Sequence, residues 1–289
     1  MAFRTVIVKN RCKLEYSLNY LVCRGDEEKR ILLDEIEFLI IQNTGVAIIC
    51  ALLSALAEKK IKVIFCDSKS NPQSELVPYY NNYSNYKKIK QQIHFNDEFK
   101  NKLWQLIVYK KIYYQSKVLK EIKNSSYLKL DQYLEEIEIG DISNREGHAA
   151  KVYFNSLFGG TFSRGDEFNP INKYLNYGYS ILASAINREI KSLGYLTELG
   201  IHHIGETNPF NLTYDFIEPL RPFIDIQVVK HKINDENYKD YFIKLLSTQV
   251  IVNGNKMFLD NAIHLYIQSL FTALTKNKID EIIFIDYEL

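Results

Sequence analysis

The segment GIHHIGETNPFNLTYDFIEPLRP, from Gly200 to Pro222, gathers ionisable side chains in apolar company. His202 and His203 are adjacent, Glu218 follows His203 by fifteen residues, and Asp215 lies between them. Charged groups among Phe, Leu, Ile and Tyr cost free energy unless they are paired, hydrogen-bonded or bound to metal. Asp215 and Glu218 are three apart on one short helix, so both carboxylates can face the same side. Pro219 and Pro222 then end or kink that helix. Neighbouring histidines diverge on almost any backbone, so one of the pair enters a shared site. One imidazole with carboxylates is a plausible donor set for Mg²⁺ or Mn²⁺.

A second candidate carboxylate stands in SNREGHAAKVYF, Ser143 to Phe154. Ser143 and Glu146 have the spacing of a capping box, in which Glu146 would reach back to a free amide. Glu146 also shares helical spacing with Ala149, Ala150, Tyr153 and Leu157, which sets it at the end of the buried stripe and suits a metal ligand. Both readings stand at this point. Arg221 has two as well: its planar fork can contact a phosphate or hold a carboxylate. His148 is expected to face solvent or bond along its helix.

These groups must be positioned by two regions of different grain. Up to about Asp67 the runs RTVIVKN, KLEYSLNYLVC and RILLDEIEFLIIQ read as strands, and KVIFCD as another, with one helix over Val46 to Lys59. The polar, proline-bearing stretch Ser68 to Tyr86 reads as a linker. Beyond it the pattern is helical, with elements expected over Glu98–Lys123, Ser143–Phe158, Asn169–Leu193 and Asp260–Lys276. The expected fold is α+β: a small β-rich, sandwich-like domain over 1–75, a linker over 76–95 and a larger all-α catalytic domain over 96–289.

The 289 residues carry a formal charge of +1, which excludes a uniformly basic surface. Between Lys87 and Lys123, however, ten lysines face three acidic residues, a local charge of +7. That stretch is either a solvated helix face or, with Tyr109, Tyr113 and Tyr114 interleaved, a phosphate-contacting surface. MAFRTVIVKN does not read as a secretory signal, and VAIICALLSALA is shorter than the roughly 20 residues a bilayer span needs. Cys12, Cys23, Cys50 and Cys66 lack metal-ligand spacing and are expected as buried reduced thiols. A cytoplasmic protein is expected.

GHAAKVYF after Glu146, GIHH ending at His203, and LTYDFIEPLRPFID from Leu212 to Asp225 resemble the three signature regions of the CRISPR-associated spacer-acquisition integrase family, in the form found beside the type II effector nuclease. The resemblance covers essentially the whole chain. It implies a metal-dependent DNA endonuclease and integrase that inserts captured duplexes into a CRISPR array by 3′-hydroxyl attack. It implies Glu146, His203 and Glu218 as ligands of Mg²⁺ or Mn²⁺, with Asp215 supporting the site or serving as an alternate ligand. Many family members have Asp at the position of Glu218, and His202 lies outside the motif. The implied partners are protospacer and repeat DNA, a second copy through the β-rich domain, and a small CRISPR-associated protein in a hetero-hexamer. In that family setting the resemblance also implies the effector nuclease and a ring-forming accessory protein as partners. The residues alone also fit a standalone DNA-repair nuclease acting on branched DNA, or a non-catalytic helical scaffold.

Overall fold

The computed structural model describes residues 4–68, 72–78 and 85–288. The chain divides into two compact units, Met1–Tyr83 and Ser84–Leu289. The first is β-rich and the second helical, as the hydrophobic periods imply.

The first unit holds β1 (Arg4–Val8), β2 (Lys13–Ser17), β3 (Tyr20–Arg24), β4 (Glu28–Leu32), β5 (Ile36–Ile41), β6 (Ala47–Ile48), α1 (Cys50–Glu58), β7 (Lys62–Cys66) and β8 (Pro72–Glu75). One sheet runs β1-β5-β7-β8 and the other β4-β3-β2-β6. Leu14 and Leu21 of the second sheet, Leu39 and Val63 of the first, and Leu52 and Leu56 of α1 share one buried core. The helix expected from Val46 begins only at Cys50, because Ala47 and Ile48 pair with Lys13 and Leu14 of β2 instead. β-branched side chains around that point favour the extended backbone. All four cysteines are free, but only Cys66 is fully buried and Cys50 is exposed, which corrects the expectation of four buried thiols. Burial and the neighbouring Cys23 push the Cys12 thiol up to about 12, so it stays protonated.

The second unit contains α2 (Asn85–Ile93), α3 (Asp97–Glu121), α4 (Tyr127–Glu135), α5 (Arg145–Phe158), α6 (Pro170–Ser192), α7 (Asn211–Ile217), α8 (Arg221–Lys230), α9 (Tyr238–Phe242), β9 (Gln249–Val252), β10 (Asn255–Phe258) and α10 (Leu259–Lys276). A 3-10 turn, Glu218–Leu220, joins α7 to α8. The linker expected over 76–95 lies partly outside the described residues, and its second half is largely α2, Asn85–Ile93. That helix belongs to the helical unit, since the Gln92 amide donates to the carbonyls of Leu196 and Leu199. The helical unit also carries the hairpin β9–β10. Its Asn253-Gly254 turn has positive φ at both residues, the backbone that Asn-Gly favours.

Helix α3 is the axis of the helical unit. Asn96 caps it, its side chain accepting from the Phe99 amide at 2.8 Å, with Asp97 and Glu98 in the first turn. Its buried residues, among them Leu103, Trp104, Ile107, Lys111, Ile112 and Gln115, cover most of its circumference, because α4, α5, α7 and α8 all pack against it. Such all-round burial is what a central helix requires.

Helices α6 and α8 approach closely at Gly178, where an added Cβ would lie 2.6 Å from Ile224 and 3.1 Å from Phe242. Gly178→Ala gains about 1 kcal/mol of helix propensity but overpacks a filled contact at a cost of about 1–3 kcal/mol. The variant is expected to unfold at lower urea concentration than wild type; a higher midpoint would disprove the packing account.

Candidate active site

Three segments far apart in sequence meet on α3. Lys111, buried at 6% exposure, places its Nζ 2.6 Å from Glu146 Oε1 on the first turn of α5 and 2.5 Å from Glu218 Oε2 on the 3-10 turn. Arg221 Nε lies 2.8 Å from the other oxygen of Glu218. The structure therefore gives Arg221 the carboxylate-holding alternative. Its guanidinium also sits over the rings of Tyr179 and Tyr214, at 4.7 and 5.9 Å.

The electrostatics follow from this pairing. Burial works against the charge on Lys111, yet the carboxylates of Glu218 and Glu146 outweigh it and hold the ammonium above the ordinary lysine range. Burial likewise disfavours the Glu218 carboxylate, and Arg221 and Lys111 together hold it below the usual range. Glu218 Oε2 is buried and forms no hydrogen bond of good geometry, despite its contact with Lys111.

Of the two readings of Glu146, the structure does not form the capping box. Asn144, in the left-handed region at φ 52°, is the N-cap and accepts from the Gly147 amide at 3.2 Å. The Asp141 carboxylate takes the amides of Arg145 and Glu146, at 2.8 and 3.0 Å. Ser143 Oγ is buried without a partner. With the free amides served by Asp141 and Asn144, the Glu146 side chain is released to face Lys111.

The second motif folds around Asp215, which is fully buried on α7. Its two oxygens accept from the backbone amides of Ile201, His202 and His203 at 2.6, 3.2 and 3.0 Å, and Oδ1 lies 2.7 Å from His203 Nδ1. Asp215 thus fixes the loop and the imidazole together. The loop can wrap this tightly because residue 200 is glycine: a Cβ there would fall 2.2 Å from the His203 carbonyl oxygen and 2.8 Å from the Asp215 carboxylate. The His202 ring stacks on Trp104 at 4.1 Å while His203 meets the same indole edge-on at 5.6 Å. His148 is exposed and lies 3.4 Å from Arg145, as expected for a surface histidine.

The donor set fits a hard divalent ion. Glu146 and Glu218 already converge on one cationic group, Glu218 has an oxygen lacking a hydrogen bond, and Asp215 holds Nδ1 of His203, which would leave Nε2 as the nitrogen for an ion. Lys111 fills the space between the two carboxylates, and among the described residues no three His, Cys, Asp or Glu side chains form a ready metal cage.

Comparison with known proteins accords with this arrangement. A family profile described as CRISPR associated protein Cas1 matches residues 5–261. The chain belongs to the Cas1 family. A CRISPR-associated endonuclease Cas1 from Neisseria meningitidis serogroup C (strain 8013) is 36% identical over 261 residues, covering 87% of this chain and 86% of that protein. Among solved structures, a Cas6-RT-Cas1–Cas2 complex aligns with a TM-score of 0.76 at 16% identity, over 96% of this chain and 36% of that one. A casposase bound to integration product aligns with a TM-score of 0.73 at 20% identity, over 96% and 92%. At those identities the structural likeness speaks for the Cas1 fold alone.

Several positioning residues of this Cas1-family chain escaped the sequence reading. Lys111 was hidden within the lysine-rich stretch, although it aligns at helical spacing with the buried Leu103, Trp104, Ile107 and Ile112. Tyr266 on α10 and Tyr287 near the C-terminus donate hydroxyls to the carbonyls of Phe216 and Pro219, at 3.1 and 3.2 Å, bracketing Glu218. No local pattern marks such distant partners.

The Asp215 bond, against a smaller burial effect, raises the His203 pKa above the ordinary histidine value. Its protonated form therefore adds stability that is fully present below about pH 6.5 and fades as pH rises through the higher folded value. In metal-free protein, NMR titration of His203 is expected to give a midpoint above that of an unperturbed histidine side chain, lowered by Asp215→Asn. A midpoint below it would contradict the pairing.

Proposed function

We propose that this Cas1-family chain is a divalent-metal-dependent DNA endonuclease and integrase that inserts short captured duplexes as spacers into a CRISPR array, with Glu146, His203 and Glu218 as its metal ligands. The observation that carries the reading is the meeting of Glu146 and Glu218 on one cationic position beside a histidine whose tautomer Asp215 fixes. Side-chain exposure of 26% at Glu146 and 39% at His203 leaves the site open to a substrate, while Glu218 at 5% forms its floor. A closed structural salt bridge would have no use for such access.

The reaction exchanges one phosphodiester for another. The oxygen of a DNA 3′-hydroxyl forms a bond to phosphorus, the target strand's bridging 3′-oxygen leaves, and a proton passes from the incoming to the departing oxygen. With water as nucleophile the same site cuts without joining. A bound Mg²⁺ or Mn²⁺ supplies Lewis-acid polarisation of the phosphoryl oxygen and offsets charge on the leaving group. Asp215 orients His203, and Arg221 keeps the Glu218 carboxylate ionised and aimed. Lys110 over the rings of Tyr113 and Phe284, and Lys117 over those of Tyr113 and Tyr114, support the phosphate-contacting alternative for this face of α3.

Partners follow the same reading. The Cas2 named with the first structural neighbour is the proposed small partner, acting as a spacer between paired sites, and duplex DNA is the substrate. The exposed Tyr16, Leu18 and Tyr20 around the β2–β3 turn support the β-rich unit as a surface for a second copy. Among the described residues no helix is long and apolar enough to cross a membrane.

The test uses the full chain with its Cas2 partner, a short duplex with 3′ ends and a supercoiled plasmid carrying a repeat. Wild type is expected to join the duplex to the plasmid with Mn²⁺ present, and Glu218→Gln to lose at least about 100-fold of that activity while still binding duplex DNA. Undiminished joining by the variant would refute the ligand assignment. Cut but never joined product from wild type would refute integration.

A further inference from the structure

We propose that Lys111 is a built-in competitor for the divalent ion: its ammonium holds Glu146 and Glu218 together before metal binds, and metal loading displaces it from between them. This rests on the ligand assignment above. The ammonium nitrogen stands 2.6 Å from one oxygen of Glu146 and 2.5 Å from one oxygen of Glu218. A divalent ion held by Glu146 and Glu218 would need the space that the ammonium occupies. Two cations cannot share it.

Charge leads to the same conclusion. Lys111 and Arg221 already neutralise Glu146 and Glu218, so a doubly charged ion entering with Lys111 in place would meet strong repulsion at low dielectric. Lysine suits a removable cation, being a compact charge on a flexible four-carbon stem, whereas Arg221 is fixed over two aromatic rings. The arrangement spares the metal-free protein the cost of two converging carboxylates without an ion between them. It also sets the apparent metal affinity below the value the three ligands alone would give, by the free energy needed to displace the ammonium.

The chain has one tryptophan, and Trp104 packs against both His202 and His203, so its fluorescence reports on the site. Mn²⁺ alone, without DNA, is titrated into full-length wild type, Lys111→Met, Lys111→Gln, Lys111→Arg and Glu218→Gln, following Trp104 quenching and free Mn²⁺ by electron paramagnetic resonance. Lys111→Met and Lys111→Gln are expected to bind Mn²⁺ about tenfold tighter or more, because the competing charge is gone. Lys111→Arg, which keeps the charge, should show no such gain. Metal-free Lys111→Met and Lys111→Gln should melt below wild type, with the gap closing at saturating Mn²⁺; Lys111→Gln stands in should Lys111→Met not fold. Equal or weaker Mn²⁺ binding by the neutral variants, with binding lost in Glu218→Gln, overturns the competition and leaves the ligand assignment intact. Unchanged Mn²⁺ binding in Glu218→Gln overturns the ligand assignment, and the role of Lys111 with it.

Discussion

Two ionised carboxylates are costly to draw together in a protein interior without a positive charge between them, and the helical unit is arranged around that constraint. Glu146 comes from the start of α5, Glu218 from the 3-10 turn after α7, and the cation that reconciles them from the middle of α3. Removing one member of such a buried cluster costs about 3–5 kcal/mol, because the remaining charge is left desolvated and unpaired. The central place of α3 follows. A helix that must carry a lysine into the interior has to be covered on nearly every side, and α4, α5, α7 and α8 supply that cover.

Around this charged centre the protein uses backbone groups where side chains would be too mobile. Asp215 is spent on three amides and one imidazole, so it acts as a rivet for the loop and not as a free carboxylate. Gly200 makes the close wrap possible, and Trp104 presses both histidine rings from the other side. Asp141 does the equivalent at α5, taking the amides that would otherwise engage Glu146. In both places a buried aspartate satisfies backbone donors, and the neighbouring functional side chain gains its freedom.

Much of this was legible in the sequence, and the reasons are local. The β-to-helix change of period marked the two regions, and the His–Asp–Glu grouping in an apolar segment marked the motif. Helix boundaries drifted where tertiary pairing intervened, as at Ala47 and Ile48, which joined a sheet despite lying in an apolar helical pattern. The role of Glu146 was ambiguous because S-x-x-E spacing is shared by a cap and a buried stripe, and only the position of Asp141 decides between them. Lys111 was illegible for a different reason. Charge counting averages a buried lysine with its solvated neighbours, and helical phase alone does not reveal that a cation has been carried inward to meet two distant carboxylates.

The segment that bears Glu218 shows how a functional sequence creates needs answered elsewhere in the chain. Pro219 and Pro222 lack amide hydrogens, and Glu218–Leu220 is 3-10, so the regular helical ladder is interrupted between α7 and α8. A buried carbonyl without a donor costs about 1–3 kcal/mol. The hydroxyls of Tyr266 and Tyr287 donate to the carbonyls of Phe216 and Pro219 on either side of Glu218, and Tyr287 itself stacks on Tyr114 of α3 at 4.3 Å. The irregular backbone that aims Glu218 at Lys111 is therefore tied to the same helix that carries Lys111. Carboxylate and ammonium are held in register by the aromatic strut at Tyr287, so the stretch around it is part of the site's architecture.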